Sequence, residues 1–237
     1  HDSGGFGDDG EQNVISCGSY TADPTYGVGT VNLGFEPQFI LMKRADSASD
    51  WRMFDVLRGW DNAAAKHLNP NLAAAEAGSG TLPTATGFHD GGIWGAGAQV
   101  IYMAIRRPMK PPEAGTEVFA MDTQGGSSGK PNYKSGFPVD FAFVAETGGS
   151  GRLNSSRLTS PKIMYFNNTN AESSDTERKF DYQNGWGNSV DVDSTRYSWM
   201  FKRAPTFMDV VAFTQVGIGS VQTINHNLTV VPELIIF

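Results

Sequence analysis

Any chemistry in this chain has to come from carboxylates, histidines, hydroxyls or exposed rings. Its one cysteine, Cys17, excludes an internal disulfide and a multi-cysteine metal site. Three acidic pairs are candidates for Ca²⁺ binding or acid–base work: Asp8-Asp9, Asp46 with Asp50, and Asp191 with Asp193. None completes a loop of the D-x-D-x-D-G type, so they read as solvated loop charges and no metal site is assigned. Histidines His67, His89 and His226 stand far apart and form no H-E-x-x-H spacing. Gly217-Ile218-Gly219-Ser220 does not fit the strand-to-helix elbow that exposes a catalytic serine. The glycine-rich stretches Gly4–Gly7 and Gly125–Gly129 lack the Lys-Ser/Thr of a phosphate loop and read as connectors. No catalytic residue and no cofactor is assigned.

Aromatic rings beside glycines offer a different chemistry. Trp60 follows Gly59, Trp94 lies in Gly-Gly-Ile-Trp-Gly, and Trp186 lies between Gly185 and Gly187. Exposed, such rings would stack on a sugar face, with Asp90 or Asn188 bonding its hydroxyls. Trp94, Trp186, Asp90 and Asn188 are therefore the candidate glycan ligands. The competing use of the same rings is to close the ends of a hydrophobic core.

The elements that must position these residues are strands. With 28 Gly and 12 Pro in 237 residues, turn-forming positions are dense and long helices are disfavoured. The apolar fraction of 39% suffices for a core, and no run of about 20 apolar residues is available to span a bilayer. A net charge of −7, with no basic run beyond Arg106-Arg107 and Lys202-Arg203, argues against a nucleic-acid partner. Cys17, flanked by Ile15, Ser16 and Gly18, is expected as a small buried strand residue. Cysteine poverty fits assembly in a reducing cytoplasm.

The chain repeats itself. Val14–Arg44, Val118–Glu146 and Val210–Phe237 each pass from an apolar run through a polar connector into a second apolar run. That second run opens on Pro37-Gln38-Phe39, Val139-Asp140-Phe141 or Pro232-Glu233-Leu234. Ala98–Pro108 matches Ser194–Pro205: Ile101/Met103/Ile105 and Tyr197/Trp199/Phe201 alternate, then come two basic residues and a proline. Thr86-Gly87-Phe88 also matches Asn184-Gly185-Trp186. Period-two alternation predicts strands with one buried face.

The expected organisation is a lead-in over 1–13, a sandwich unit over 14–108 and a Pro-rich linker over 109–116. A second unit covers 117–206, and residues 207–237 begin a third unit or a strand exchanged with a neighbour. Strands are predicted at 14–20, 30–32, 38–44, 51–57, 67–69, 86–88 and 99–106. Others follow at 117–121, 139–145, 162–166, 178–182, 189–192, 196–202, 209–214, 221–224 and 232–237, with a short helix or a loop at 72–77. The fold class is all-β: tandem antiparallel sandwich units of jelly-roll or lectin-like kind. The opening His1 and the closing apolar run to Phe237 suggest a segment of a longer polypeptide.

Ile224–Leu228 followed by Val231–Ile236 resembles the "HNLG-V-PELIIVK" strand entry in repeat units of tail-fibre-like virion proteins of marine, largely cyanobacterial, tailed phages. Leu33–Lys43 resembles the same element, and Asp50–Gly59 resembles the family's segment ending "FD-x-x-RG". Tyr197–Lys202 followed by Phe207–Val211 is similar to its junction between units. The resemblance is weakest in the middle of the second unit. It implies a virion structural protein, a tail fibre or other surface appendage, assembled in the host cytoplasm and located in the virion. Other virion proteins, further copies of itself and a host surface glycan are the expected partners; membrane insertion is not expected. A bacterial or phage carbohydrate-binding adhesin and a tailspike-like glycan depolymerase are the alternatives.

Overall fold

A computed structural model describes residues 13–25, 27–58, 60, 65–107, 110–124, 129–149, 151–175, 177–187, 195–211, 213, 217, 219 and 221–236. Apart from two single turns of 3-10 helix, its regular elements are strands, paired antiparallel throughout, and the fold is an all-β sandwich type. The chain divides into two compact units between residues 108 and 109.

The first unit contains β1 (Ile15–Thr21), β2 (Thr30–Asn32), β3 (Pro37–Arg44), β4 (Arg52–Asp55), β5 (Ala65–Leu68), β6 (Ala77–Ser79), β7 (Leu82–Thr84), β8 (Gly87–His89) and β9 (Gln99–Arg106). Six strands form the main sheet in the order β1-β9-β3-β4-β5-β6, and three form a small sheet, β2-β8-β7. Val31 and Phe88 of the small sheet share one core with Ile40, Met42, Phe54 and Val100 of the main sheet.

The second unit contains β10 (Phe119–Thr123), β11 (Tyr133–Lys134), β12 (Phe141–Glu146), β13 (Arg152–Ser156), β14 (Lys162–Tyr165), β15 (Ser173–Ser174), β16 (Gly185–Trp186) and β17 (Arg196–Phe201). Its main sheet runs β10-β17-β12-β13-β14-β15, with β11-β16 as the small sheet. Position for position this is the order of the first unit.

The registers agree to the residue. Ile105 pairs with Ile15 on one side and Phe39 on the other; Phe201 pairs in the same way with Phe119 and Phe141. Arg106 N–H donates to the Val14 carbonyl and Lys202 N–H to the Val118 carbonyl. Ala45 N–H donates to Gln99 and Thr147 N–H to Thr195, closing the other end of the same ladder. The repeated motifs around Val14 and Val118, Pro37 and Val139, and the two basic-basic-proline strands thus occupy matching places.

The third anchor has a steric cause. Gly87 pairs with Asn32, and Gly185 with Lys134. A Cβ on Gly87 would lie 1.8 Å from the Val31 carbonyl oxygen, and one on Gly185 would lie 2.0 Å from that of Tyr133. Both glycines let the small sheet's strands approach where no side chain fits.

The structure departs from the sequence expectations in several places. Among the described residues of 207–236 there is no strand, only an isolated bridge between Ala204 and Met208. The cause lies in the strand order: the first and third strands of each unit never pair with one another but flank the last, β9 or β17. The sequence expectation places counterparts of the two flanking strands in residues 207–237 and none of the middle one. No strand forms at 178–182, and the one predicted at 189–192 falls outside the described residues. Residues 72–76 are coil leading into β6, not helix. Cys17 is exposed, not buried, because it lies on the outward side of the edge strand β1.

Gly87→Ala and Gly185→Ala are each expected to cost about 1–3 kcal/mol or more through overpacking. Gly78→Ala, where the new methyl meets nothing within 4 Å, should be close to neutral or stabilising. Urea-unfolding midpoints of the three variants check this.

Candidate functional site

Trp94 and Asp90 lie in the connection from β8 to β9, where Gly91, Gly92, Gly95 and Gly97 adopt positive φ. That backbone folds the chain over the end of the sandwich and carries both side chains inward. Asp90 is fully buried. Its Oδ1 accepts from Gly29 N–H at 2.6 Å and Gly92 N–H at 3.0 Å, and its Oδ2 accepts the Tyr20 hydroxyl at 2.6 Å. Burial, followed by the hydrogen bond to and charge of Asp90, pushes the Tyr20 phenol far above its ordinary range, with the Trp94 indole acting weakly the other way. All three donors are protein groups. Asp90 is a knot that ties β1, the lead into β2 and the β8–β9 connection together.

Trp94 is 6% exposed. The Arg52 guanidinium lies over its ring, 4.8 Å from the centroid, and its carbonyl accepts from Arg44 Nη1 at 3.1 Å. Burial depresses the Arg52 pKa, partly opposed by Asp50. One indole face is thus occupied by a cation and the rest by the core.

Trp186 is fully buried. It stacks between Tyr133 and Phe180, at centroid distances of 5.7 and 5.1 Å, and its Nε1 donates to Ser198 Oγ at 2.9 Å. By register it corresponds to Phe88, not to Trp94. Trp60 is likewise buried and donates from Nε1 to the Thr81 carbonyl. Asn188 lies outside the described residues. The structure therefore keeps Trp94 and Trp186 in separate cores, and neither presents a free face for a sugar. Closing the core is the use their burial matches.

One buried charge went unrecognised in the sequence. Asp140, noted there only as the acidic residue opening a strand, is 2% exposed. Its Oδ1 accepts from Arg157 Nε at 3.2 Å and its Oδ2 from Arg203 N–H at 2.8 Å. Arg157 also donates to the carbonyls of Val139 and Phe180. Arg203 in turn pairs with Asp209, Nε to Oδ1 at 3.3 Å, and donates from Nη1 to the Val210 carbonyl. Full burial pulls Arg203 down to about 10, opposed by Asp209. The second basic-basic-proline motif gave the position of Arg203; nothing local in the sequence named Arg157 or the acidic partners.

The open concavities lie elsewhere. Two, of about 360 and 590 Å³, follow residues 206–236 and share Asp209, Leu228, Pro232 and Leu234 in their linings. Their one deeply placed carboxylate, Asp209, is held by Arg203 and by Asn227 N–H. Among the described residues no group of three or more His, Cys, Asp or Glu is placed to hold a metal, and no helix is long and apolar enough to cross a membrane.

His67 is a titratable group set in a core. It is 6% exposed, its ring lies 5.5 Å from that of Phe54, and its Nδ1 has no hydrogen-bond partner among the described residues. Burial lowers its pKa, helped by the charges of Arg52 and Arg58 and opposed by a backbone hydrogen bond to Ala77. With its folded-state pKa depressed, His67 favours folding above about pH 6.5 and loses that contribution as pH falls through the unfolded value. The urea midpoint of the first unit should therefore drop between pH 7.5 and 5, and His67→Leu should flatten that limb. Trp186→Ala should destabilise the second unit by about 3–5 kcal/mol. On a glycan array, Trp94→Phe and Trp186→Phe should leave any signal of the folded chain unchanged.

The sequence model of one family, described as a domain of unknown function (DUF7483), matches residues 14–107. That stretch covers β1 to β9 of the first unit. No curated protein and no solved structure matches the chain.

Proposed function

We propose that this chain is a structural segment of a tailed-phage particle, a tail fibre or another surface appendage, whose product is shape and contact surface. The observation that carries the reading is the tandem repetition of one sandwich topology with matching registers. Stacked copies of one closed unit extend a protein while each keeps its own core. The resemblance at Leu33–Lys43 and Asp50–Gly59 adds support, because those stretches contain β3, which pairs with the unit's last strand, and β4, which pairs with β3.

A non-catalytic role is favoured by what the buried carboxylates do. Asp90 and Asp140 are buried and spend their oxygens on backbone amides, a phenol and an arginine of the chain itself. Adhesion, if this segment performs it, falls to exposed loops and not to the tryptophans.

Immunogold electron microscopy with antibody raised against residues 14–107 tests the assignment on purified particles from a culture that produces this protein. Label on the particle, concentrated on an appendage, is the expected result. Label confined to cell debris, with particles bare, would overturn it.

A further inference from the structure

Two apolar runs near the end of the chain form no strand, yet the structure sets them along one groove. In sequence, Val210-Val211-Ala212-Phe213 stands where Val118-Phe119-Ala120-Met121 opens the second unit. Pro232-Glu233-Leu234-Ile235-Ile236 stands where Val139-Asp140-Phe141-Ala142-Phe143 leads into β12. Val211 and Phe213 thus answer to Phe119 and Met121, and Leu234 and Ile236 answer to Phe141 and Phe143. All four line the concavity of about 360 Å³.

In both complete units one strand fills the space between these positions. Phe201 lies between Phe119 and Phe141, and Trp199 between Met121 and Phe143. In the first unit Ile105 lies between Ile15 and Phe39, and Met103 between Cys17 and Leu41. The corresponding side chains near the chain's end are open: Phe213 is 47% exposed, Leu234 77% and Ile236 73%. Their backbone is open too. Among the described residues, Val211, Phe213 and Val231–Ile236 make no main-chain hydrogen bond. The approaches to both runs are nonetheless held together. Asp209 pairs with Arg203 Nε at 3.3 Å and accepts from Asn227 N–H at 2.8 Å, and Thr206 N–H donates to the Leu228 carbonyl at 2.8 Å.

We infer that this groove binds an extended peptide strand of the same kind as β9 and β17. Such a strand carries large apolar residues at every second position, then two basic residues and a proline. Strand order argues for that occupant, because β9 and β17 take the same place in two units whose flanking strands differ in sequence. Charge argues for its basic end. Arg203, two residues past Phe201, meets Asp140 through its amide at 2.8 Å, and Glu233 stands exposed in the Asp140 place. The free main-chain groups argue for a strand over any other apolar ligand. A sugar or a lipid would leave the amides and carbonyls of both runs unanswered, whereas one extended strand answers both rows at once.

The inference rests on the repeat and the groove, not on any role in a particle. The test uses the whole chain and a labelled synthetic peptide of Ser194–Pro205, with a scrambled peptide of the same composition beside it. By fluorescence anisotropy we expect saturable binding of the first and at least tenfold weaker binding of the second. Leu234→Lys, at a position already open to water, should weaken binding at least tenfold and keep the wild-type urea midpoint. Met121→Lys, which stands beside β17 itself, should leave binding unchanged. Hydrogen exchange should show the peptide protecting amides in both 210–213 and 233–236. No saturable binding, equal binding of the scrambled peptide, or protection confined to one run would each overturn the proposal. So would binding lost in Met121→Lys but kept in Leu234→Lys, the mark of a peptide that exchanges with β17 instead.

Discussion

The arrangement of each unit depends on its last strand entering between its first and its third. β9 separates β1 from β3, and β17 separates β10 from β12, so no ladder joins the first strand of a unit to the rest of its main sheet until the final strand is present. Ile15 meets Ile105 across nearly the whole unit, which makes the sheet a product of non-local pairing that local propensity alone cannot complete. The same constraint accounts for the tail of the chain. The runs at Val210-Val211 and Val231–Ile236 resemble the flanking strands in sequence, yet Val231 and Leu234 stand 86% and 77% exposed. An apolar, alternating segment is not a strand unless a neighbour offers its amides and carbonyls.

Closing the sandwich leaves polar groups at its ends that burial would otherwise penalise, and each unit meets that need with one buried aspartate. In the first, Asp90 accepts from two backbone amides and the Tyr20 hydroxyl. In the second, Asp140 accepts from Arg157 and from the Arg203 amide, so it clamps the start of β12 to the turn after β13 and to the end of β17. The two knots occupy different places in otherwise matching topologies. That freedom is reasonable on energetic grounds: any site that satisfies every lone pair of a buried carboxylate offsets its desolvation, and geometry does not prescribe which.

Much of this was legible in residue patterns, and the losses have identifiable causes. The long strands β9 and β17 were plain from alternation and β3 from its apolar run, while the matched dipeptides Gly87-Phe88 and Gly185-Trp186 recurred as an anchor without a strand being predicted at the second. Two-residue strands such as β11 and β15 have no periodicity to detect, and β13, written Arg-Leu-Asn-Ser-Ser, has polar residues on both faces. The tryptophans misled because glycine neighbours suggest exposed loops, whereas here positive-φ glycines turn the chain so that Trp94 points inward. The aspartate knots join residues up to 70 positions apart, and no local motif encodes them.

Alternation carries a further ambiguity that bears on what the protein is for. Ile101/Met103/Ile105 and Tyr197/Trp199/Phe201 were recognisable as one face of a strand, and size alone would assign them to the core. The structure assigns the core instead to their neighbours, Val100, Ala104 and Met200, because the small sheet with Val31 and Phe88, or Tyr133 and Trp186, fills its side with bulk of its own. The inward positions of the last strands are Val100, Tyr102 and Ala104 in one unit and Ser198 and Met200 in the other. A period of two states that a strand has two different faces; it does not state which is buried by the chain itself.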